Sequence, residues 1–136
     1  MDGFSFFEEI RVRFAETDAQ GIAHHSNYVV WFEVARVAYL ARFREGYRSI
    51  QADGVEVLVT DVSIKFVAPA RFDDVLRVHT RCGGLKGARF RFDYAVELDG
   101  DVIVHGHTSH ASVVGATLQP TRTPGWLVDA ITSAER

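Results

Sequence analysis

The sequence predicts an α+β fold in which one curved antiparallel sheet wraps around one long buried helix. Three observations lead there. A strand-like stretch near the start is followed by a helical stretch, Tyr28 to about Arg44, with little polar surface on any side. Four later stretches alternate apolar and polar residues with the period of a strand. Strands with one apolar face need cover and a helix apolar all round needs burial, so one sheet around one helix satisfies both.

The elements follow in order. From Phe4 to Ala15, residues Phe6, Ile10, Val12 and Phe14 share one face with Glu8, and Arg11 and Arg13 share the other. The helix after it has Ser26 or Asn27 as its N-cap and Gly46 as its stop. Val55 to Val67 is the next strand, with Leu58, Val62, Ile64 and Phe66 on one face and Pro69 beyond its end. Val75 to Cys82 puts Leu76, Val78 and Cys82 opposite Arg77, His79 and Arg81, and Gly83-Gly84 is expected to turn the chain. Ala88 to Leu98 alternates most clearly, with Phe90, Phe92, Tyr94, Val96 and Leu98 inward. Asp99-Gly100 is a hairpin signal, Val102 to Val114 the last strand, and Thr123-Pro124 the N-cap and first position of a terminal helix from Pro124 to about Ala134.

Composition narrows the functional classes. A chain of 136 residues, 47% apolar, suits one globular domain spanning 1–136. A net charge of −3 argues against a dedicated nucleic-acid binder. The single cysteine, Cys82, allows no intrachain disulfide and fits a reducing cytoplasm. No charged-then-apolar leader or long apolar span is visible, so a soluble cytoplasmic protein without membrane insertion is expected. A sheet of this size cannot enclose the helix alone. Its edges and the far side of the helix call for a homodimer, and a homotetramer above it.

The candidate chemistry lies between the first strand and the helix. Asp18 ends the strand-like run, Gly21 follows, and a polar cluster of His24, His25, Ser26 and Asn27 leads into the helix. A carboxylate beside a helix N-terminus, where free N–H groups favour negative charge, fits a hydrolase site. Asp18 could equally cap a turn before Gly21. Asn27 suits a cap or a substrate contact, and Tyr28 the core or the substrate. Glu33 and Arg36, three apart, suit a helix-surface ion pair. His105 and His107 share a strand face, but no Cys, Asp or Glu stands within the run to complete a metal set, so no metal is expected.

The stretch Arg11, Val12, Thr17, Asp18, Gly21, Ile22, His25 and Tyr28 resembles, in register, the signature of the 4-hydroxybenzoyl-CoA thioesterase family and its Tol–Pal-associated acyl-CoA thioesterase branch. Ala23 stands where that signature usually has valine. Phe32-Glu33-Val34-Ala35-Arg36 and the stretch from Ala68 to Asp74 are similar to the same branch, so the likeness covers nearly the whole chain. The resemblance implies a hotdog fold and hydrolysis of acyl-CoA, with Asp18 as nucleophile or general base. It implies the backbone N–H at His25 as the donor that polarises the thioester carbonyl. It places the coenzyme A phosphates near Lys86, Gly87 and Arg89, with Arg91 behind them, and the site at a dimer interface. Coenzyme A would be part of the substrate, with no separate cofactor. Val59, Phe32 and Phe66 are the expected lining for the acyl group. A non-catalytic acyl-CoA or acyl-carrier-protein binding module stays open as an alternative. A hotdog enoyl-CoA hydratase resembles Gly-Asp-x-Asn-Pro-x-His, and here Ala19-Gln20-Gly21 follows Asp18 instead.

Overall fold

The computed structural model describes residues 1–136. The elements are β1 (Phe7–Arg11), a 3₁₀ turn (Phe14–Glu16), α1 (Asn27–Leu40), α2 (Tyr47–Ala52), β2 (Val55–Phe66), β3 (Val75–Lys86), β4 (Arg89–Leu98), β5 (Asp101–Val114) and α3 (Gly125–Ala134). The strands form one sheet in the order β1-β3-β4-β5-β2, antiparallel at every junction. Strands β1 and β2 are therefore the two edges, and α1 carries the chain from one edge to the other across a single face. This is the hotdog architecture.

The helix is seated by one close approach. The Phe32 ring stacks on Tyr94 of β4, with centroids 4.2 Å apart and planes within 2°. Its edge lies over Gly106 of β5, where a Cβ would come within 2.5 Å of the ring and 2.8 Å of the Ser63 carbonyl. Gly106 faces Tyr94 across the β4–β5 ladder, so a side chain is missing at the one place where the ring needs the backbone. Around this seat Trp31, Ala35, Tyr39 and Leu40 of α1 bury against Leu76, Val78, Phe90, Phe92 and Val96. The Tyr39 ring meets Phe92 edge-on at 5.3 Å. Leu127 and Ile131 of α3 are buried in the same core.

The structure departs from the sequence-based expectations at several elements. The first strand ends at Arg11, and Phe14 lies in the 3₁₀ turn with 74% of its surface exposed. Helix α1 stops at Leu40, and a further short helix, α2, follows Gly46. Gly83-Gly84 does not turn the chain. Strand β3 runs through both glycines to Lys86, and the turn falls on Gly87, whose φ of 62° suits glycine. Leu58 is not on the face of Val62, Ile64 and Phe66. A bulge between Val59 and Asp61 adds one residue and reverses the alternation, so Val59 joins Val62 on the helix side and Leu58 faces away. Asp99-Gly100 does form the predicted tight turn, with φ of 51° and 89°, both in the left-handed region. Thr123 does not cap α3. Its hydroxyl is buried and bonds Ser112, 2.9 Å away.

Gly106→Ala should force the Phe32 ring off its stack. An unfolding free energy lower by about 3 kcal/mol is expected in urea denaturation, near the upper end of ordinary overpacking costs.

Candidate functional site

The segment from Arg13 to Tyr28 is a tightly bonded loop rather than a free connection. Asp18 N–H donates to the Ile22 carbonyl (2.9 Å), and Gly21 N–H donates to the Asp18 carbonyl (2.9 Å). Gly21 adopts φ 79°, which closes that turn and favours glycine. Ala23 N–H donates to the Ala70 carbonyl at 2.8 Å, which ties the stretch after β2 to the loop.

Glu16 holds this loop against α1, and sequence reasoning passed over it. Its side chain is buried, with one carboxylate oxygen accepting the Arg13 N–H at 2.7 Å and the other the Trp31 indole N–H at 2.9 Å. Its carbonyl accepts the His24 N–H and the Asn27 side-chain amide, both at 2.8 Å. Burial by itself would raise the carboxyl. The Arg13 N–H, the Trp31 indole and the Arg13 guanidinium outweigh it and hold Glu16 below the usual carboxylate range. The available signal was Glu16 fifteen residues before Trp31, a buried indole that needs an acceptor.

Between the loop and the end of β2 lies a cleft of about 420 Å³, lined by Asp18, Ile22, His25, Tyr28, Phe66 and Pro69, among others. One Asp18 carboxylate oxygen accepts the Gln20 N–H at 2.8 Å, as in the turn-capping alternative, and the other has no partner in the chain. The two roles are compatible, since the cap uses one oxygen and leaves the second for chemistry. The His25 N–H donates to no group in the structure, two residues before α1 begins. A carboxylate and a free N–H at a helix N-terminus therefore share one cleft, as nucleophilic or base-assisted attack on a carbonyl requires. His24 has a local task instead: its Nδ1 accepts the Ser26 N–H at 3.2 Å and lies 2.8 Å from the Ser26 hydroxyl.

Other expected site residues lie elsewhere. Asn27 turns back to the Glu16 and His24 carbonyls and lines no part of the cleft. Phe32 is fully buried in the core and cannot line a site. Val59 is exposed on β2, seven residues from Phe66, about 23 Å along an extended strand. Lys86 and Gly87 line a groove beside α3, and Arg89 lines another on the sheet. Arg89 pairs with Ala111, which faces Leu58, so this basic turn lies at the far end of β2 from Asp18. One chain alone does not unite the acid with the basic turn.

The expected Glu33–Arg36 ion pair is absent. Arg36 is buried and donates to the phenol oxygens of Tyr47 and Tyr94, both at 3.2 Å, and Glu33 stays exposed. His107 bonds Asp61 at 3.1 Å, and no three His, Cys, Asp or Glu side chains gather closely enough to hold a metal ion. Burial pushes the Cys82 thiol well above its ordinary value, the opposite of what a nucleophile needs. No helix is long and apolar enough to cross a membrane.

Comparison with known proteins places this geometry. Residues 12–131 match the thioesterase-like superfamily. A curated relative from Aquifex aeolicus is 36% identical over 108 residues, 79% of this chain and 84% of its own. The acyl-CoA thioesterase YbgC of Haemophilus influenzae is 32% identical over 93 residues, 68% of this chain and 67% of its own. The crystal structure of the DHNA-CoA thioesterase from Staphylococcus aureus superposes with a TM-score of 0.84 at 27% identity, covering 94% of this chain and 86% of that one.

Glu16→Ala should leave the Trp31 indole and the Arg13 N–H without acceptors. An unfolding free energy lower by about 2–4 kcal/mol is expected. Faster amide exchange at Asp18 and His24 should accompany it if the loop is pinned as described.

Proposed function

The chain belongs to the thioesterase-like superfamily, and on that premise we propose that it hydrolyses an acyl- or aroyl-CoA thioester to the free acid and coenzyme A. The observation that carries this reading is the unpaired Asp18 oxygen sharing a cleft with the unpaired His25 N–H. A thioester needs little help with departure, because a thiol of ordinary acidity leaves readily as thiolate. What it needs is a positioned attacker and a donor for the oxygen that gains charge.

Asp18 supplies the first in one of two ways. As base it removes a proton from water while the new C–O bond forms. As nucleophile it bonds to the carbonyl carbon itself, and water later cleaves the anhydride. In both routes the His25 N–H, backed by the α1 dipole, holds the developing oxyanion, and the C–S bond breaks as the carbonyl reforms. Gly21 keeps the loop tight enough to hold Asp18 in place, and Tyr28 forms an apolar wall with Phe66, 5.4 Å away. Coenzyme A enters as part of the substrate, in the cytoplasm, and no cofactor or metal takes part in this reading.

The working unit in this reading is a homodimer. Strand β2 is a twelve-residue edge with Leu58, Val59, Val62 and Phe66 exposed, and Val30, Val34 and Val37 form an exposed stripe along α1. Long apolar edges and patches of this kind need cover. The opposite edge, β1, is five residues long and carries Glu8, Glu9 and Arg11, which protect it. Antiparallel pairing of two β2 strands would cover the valine stripe. It would also bring the Asp18 cleft of one subunit towards the Lys86–Gly87–Arg89 turn of the other, where the nucleotide phosphates would find cations. A homotetramer is two such dimers.

Thiol release from aryl, short-chain and long-chain acyl-CoA substrates tests the reaction. Asp18→Asn, a neutral near-isostere, should fold and lose about 10²–10⁴-fold in kcat. Full activity in that variant would remove Asp18 from the mechanism, and binding without turnover would favour a non-catalytic module. Val34→Glu should convert a dimer into monomers at micromolar concentration in analytical ultracentrifugation, and an unaltered dimer would move the interface elsewhere.

A further inference from the structure

Helix α1 leaves one face uncovered, and that face carries a single charge. Val29, Val30, Glu33, Val34 and Val37 are exposed, and every other residue from Tyr28 to Leu40 is buried or half-buried. At 3.6 residues per turn the exposed five fall within a sector of about 140°. The four valines are 41–51% exposed. Two come before Glu33 and two after it, so the carboxylate stands at the centre of an apolar stripe.

No cation answers it. Glu33 takes part in no ion pair. Arg36, three residues on, is turned into the core, where it bonds Tyr47 and Tyr94. Arg42 lies over the rings of Phe6, Tyr39 and Phe43, and Arg44 over that of Trp126. Asp18, His24 and His25 belong to the loop before α1, and the two histidines are eight or more residues from Glu33, about 12 Å along the axis. Glu45 and Arg48 come after the helix ends. On β2 the helix-side residues are Val57, Val59, Val62, Ile64 and Phe66, none of which titrates, while Asp61, Lys65 and His107 stand on the other face of the sheet.

The stripe and the open sheet edge lie at one level. Phe32, beside Glu33, sits over Gly106, and Gly106 faces Ile64 of β2 across the ladder. A second copy paired along β2 therefore reaches the middle of α1 as well. A two-fold dimer uses the same patch on both subunits, so the centre of a self-paired patch lies at the axis. The residue at the centre of this stripe is Glu33, and it meets its own counterpart.

We propose that the two Glu33 carboxyls of the homodimer face each other across its axis and share one proton, so that assembly is linked to pH. The inference rests on the homodimer reading. Two carboxylates brought together among valines repel each other and lose water. One proton held between them removes the like charge and lets one carboxyl donate a hydrogen bond to the other. In separate chains each carboxylate faces water alone, so two chains take up one proton as they join. Association raises the affinity of the pair for that proton. The dimer is therefore tightest in acid and weakens as pH rises through the raised value of the pair. The Asp18 cleft and the Lys86–Gly87–Arg89 turn come together only in the dimer, so the completeness of the site follows the same proton.

Analytical ultracentrifugation gives the dimer Kd, which should be weaker at about pH 8 than at about pH 5 by about tenfold or more. Glu33→Gln, neutral and of the same shape, should abolish that difference and tighten the dimer at the higher pH. Calorimetric dilution near neutral pH, in buffers of different ionisation enthalpy, should show about one proton released per wild-type dimer that dissociates, and none in Glu33→Gln. Equal wild-type affinity at the two pH values, or a dependence that survives in Glu33→Gln, overturns the proposal and leaves the homodimer standing. A chain that stays monomeric at both pH values, with and without the substitution, overturns the homodimer reading and this inference with it.

Discussion

The seat of Phe32 on the sheet is the constraint from which the rest of the structure follows. A ring lies flat on Tyr94 and edge-on to a backbone that carries no side chain at Gly106. That contact sets the height and rotation of α1 above the sheet. Once α1 is set, so are Trp31 beside Phe32, Tyr28 one turn earlier and Arg36 one turn later. Trp31 then presents its indole to Glu16, and Glu16 holds the loop that carries Asp18. The cleft is therefore positioned by a core contact several residues away, through a chain of packed or hydrogen-bonded neighbours.

Glu16 and Arg36 show two ways of burying charge in one small core. Glu16 is compensated three times over, by a backbone N–H, an indole and a guanidinium, and its carboxylate is held ionised. It ties a loop to a helix and has no capacity left for a ligand. Arg36 is held by two phenols, those of Tyr47 and Tyr94, with no carboxylate beside it. Both charges join elements distant in sequence, Glu16 a loop to α1 and Arg36 the helix to Tyr94 of β4.

The sheet also shows why a single chain is an incomplete unit for the proposed reaction. Its short edge is protected by charge, but its long edge and the adjacent helix stripe expose valines, a leucine and a phenylalanine. The acid at one end of β2 and the basic turn at the other are separated by nearly the length of the strand. Two-fold pairing along that edge would bury the apolar surface and shorten the separation at once.

Much of this was legible in the residues themselves. The alternation of Phe90, Phe92, Tyr94 and Val96 and the Asp99-Gly100 turn identify β4 and its hairpin, because period and turn chemistry are local properties. The apolar run of α1 identifies the helix, and Asp18 with Gly21 identifies the loop, because their spacing is carried by consecutive residues. The bulge at Thr60, the passage of β3 through Gly83 and Gly84, and the true face of Leu58 were not legible. Each depends on which partner strand lies alongside, and a shift of one residue reverses every side chain. Nor could the sequence by itself show that Arg36 ignores Glu33, three residues away, and enters the core. Helical spacing allows the surface pair, and only the position of α1 over Tyr94, with Tyr47 alongside, decides against it. The sequence alone determined the fold class and the loop that carries Asp18 and Gly21, because both are encoded in local pattern. The tertiary structure decided which charges are buried and which groups hold them, because that depends on neighbours brought together from distant parts of the chain.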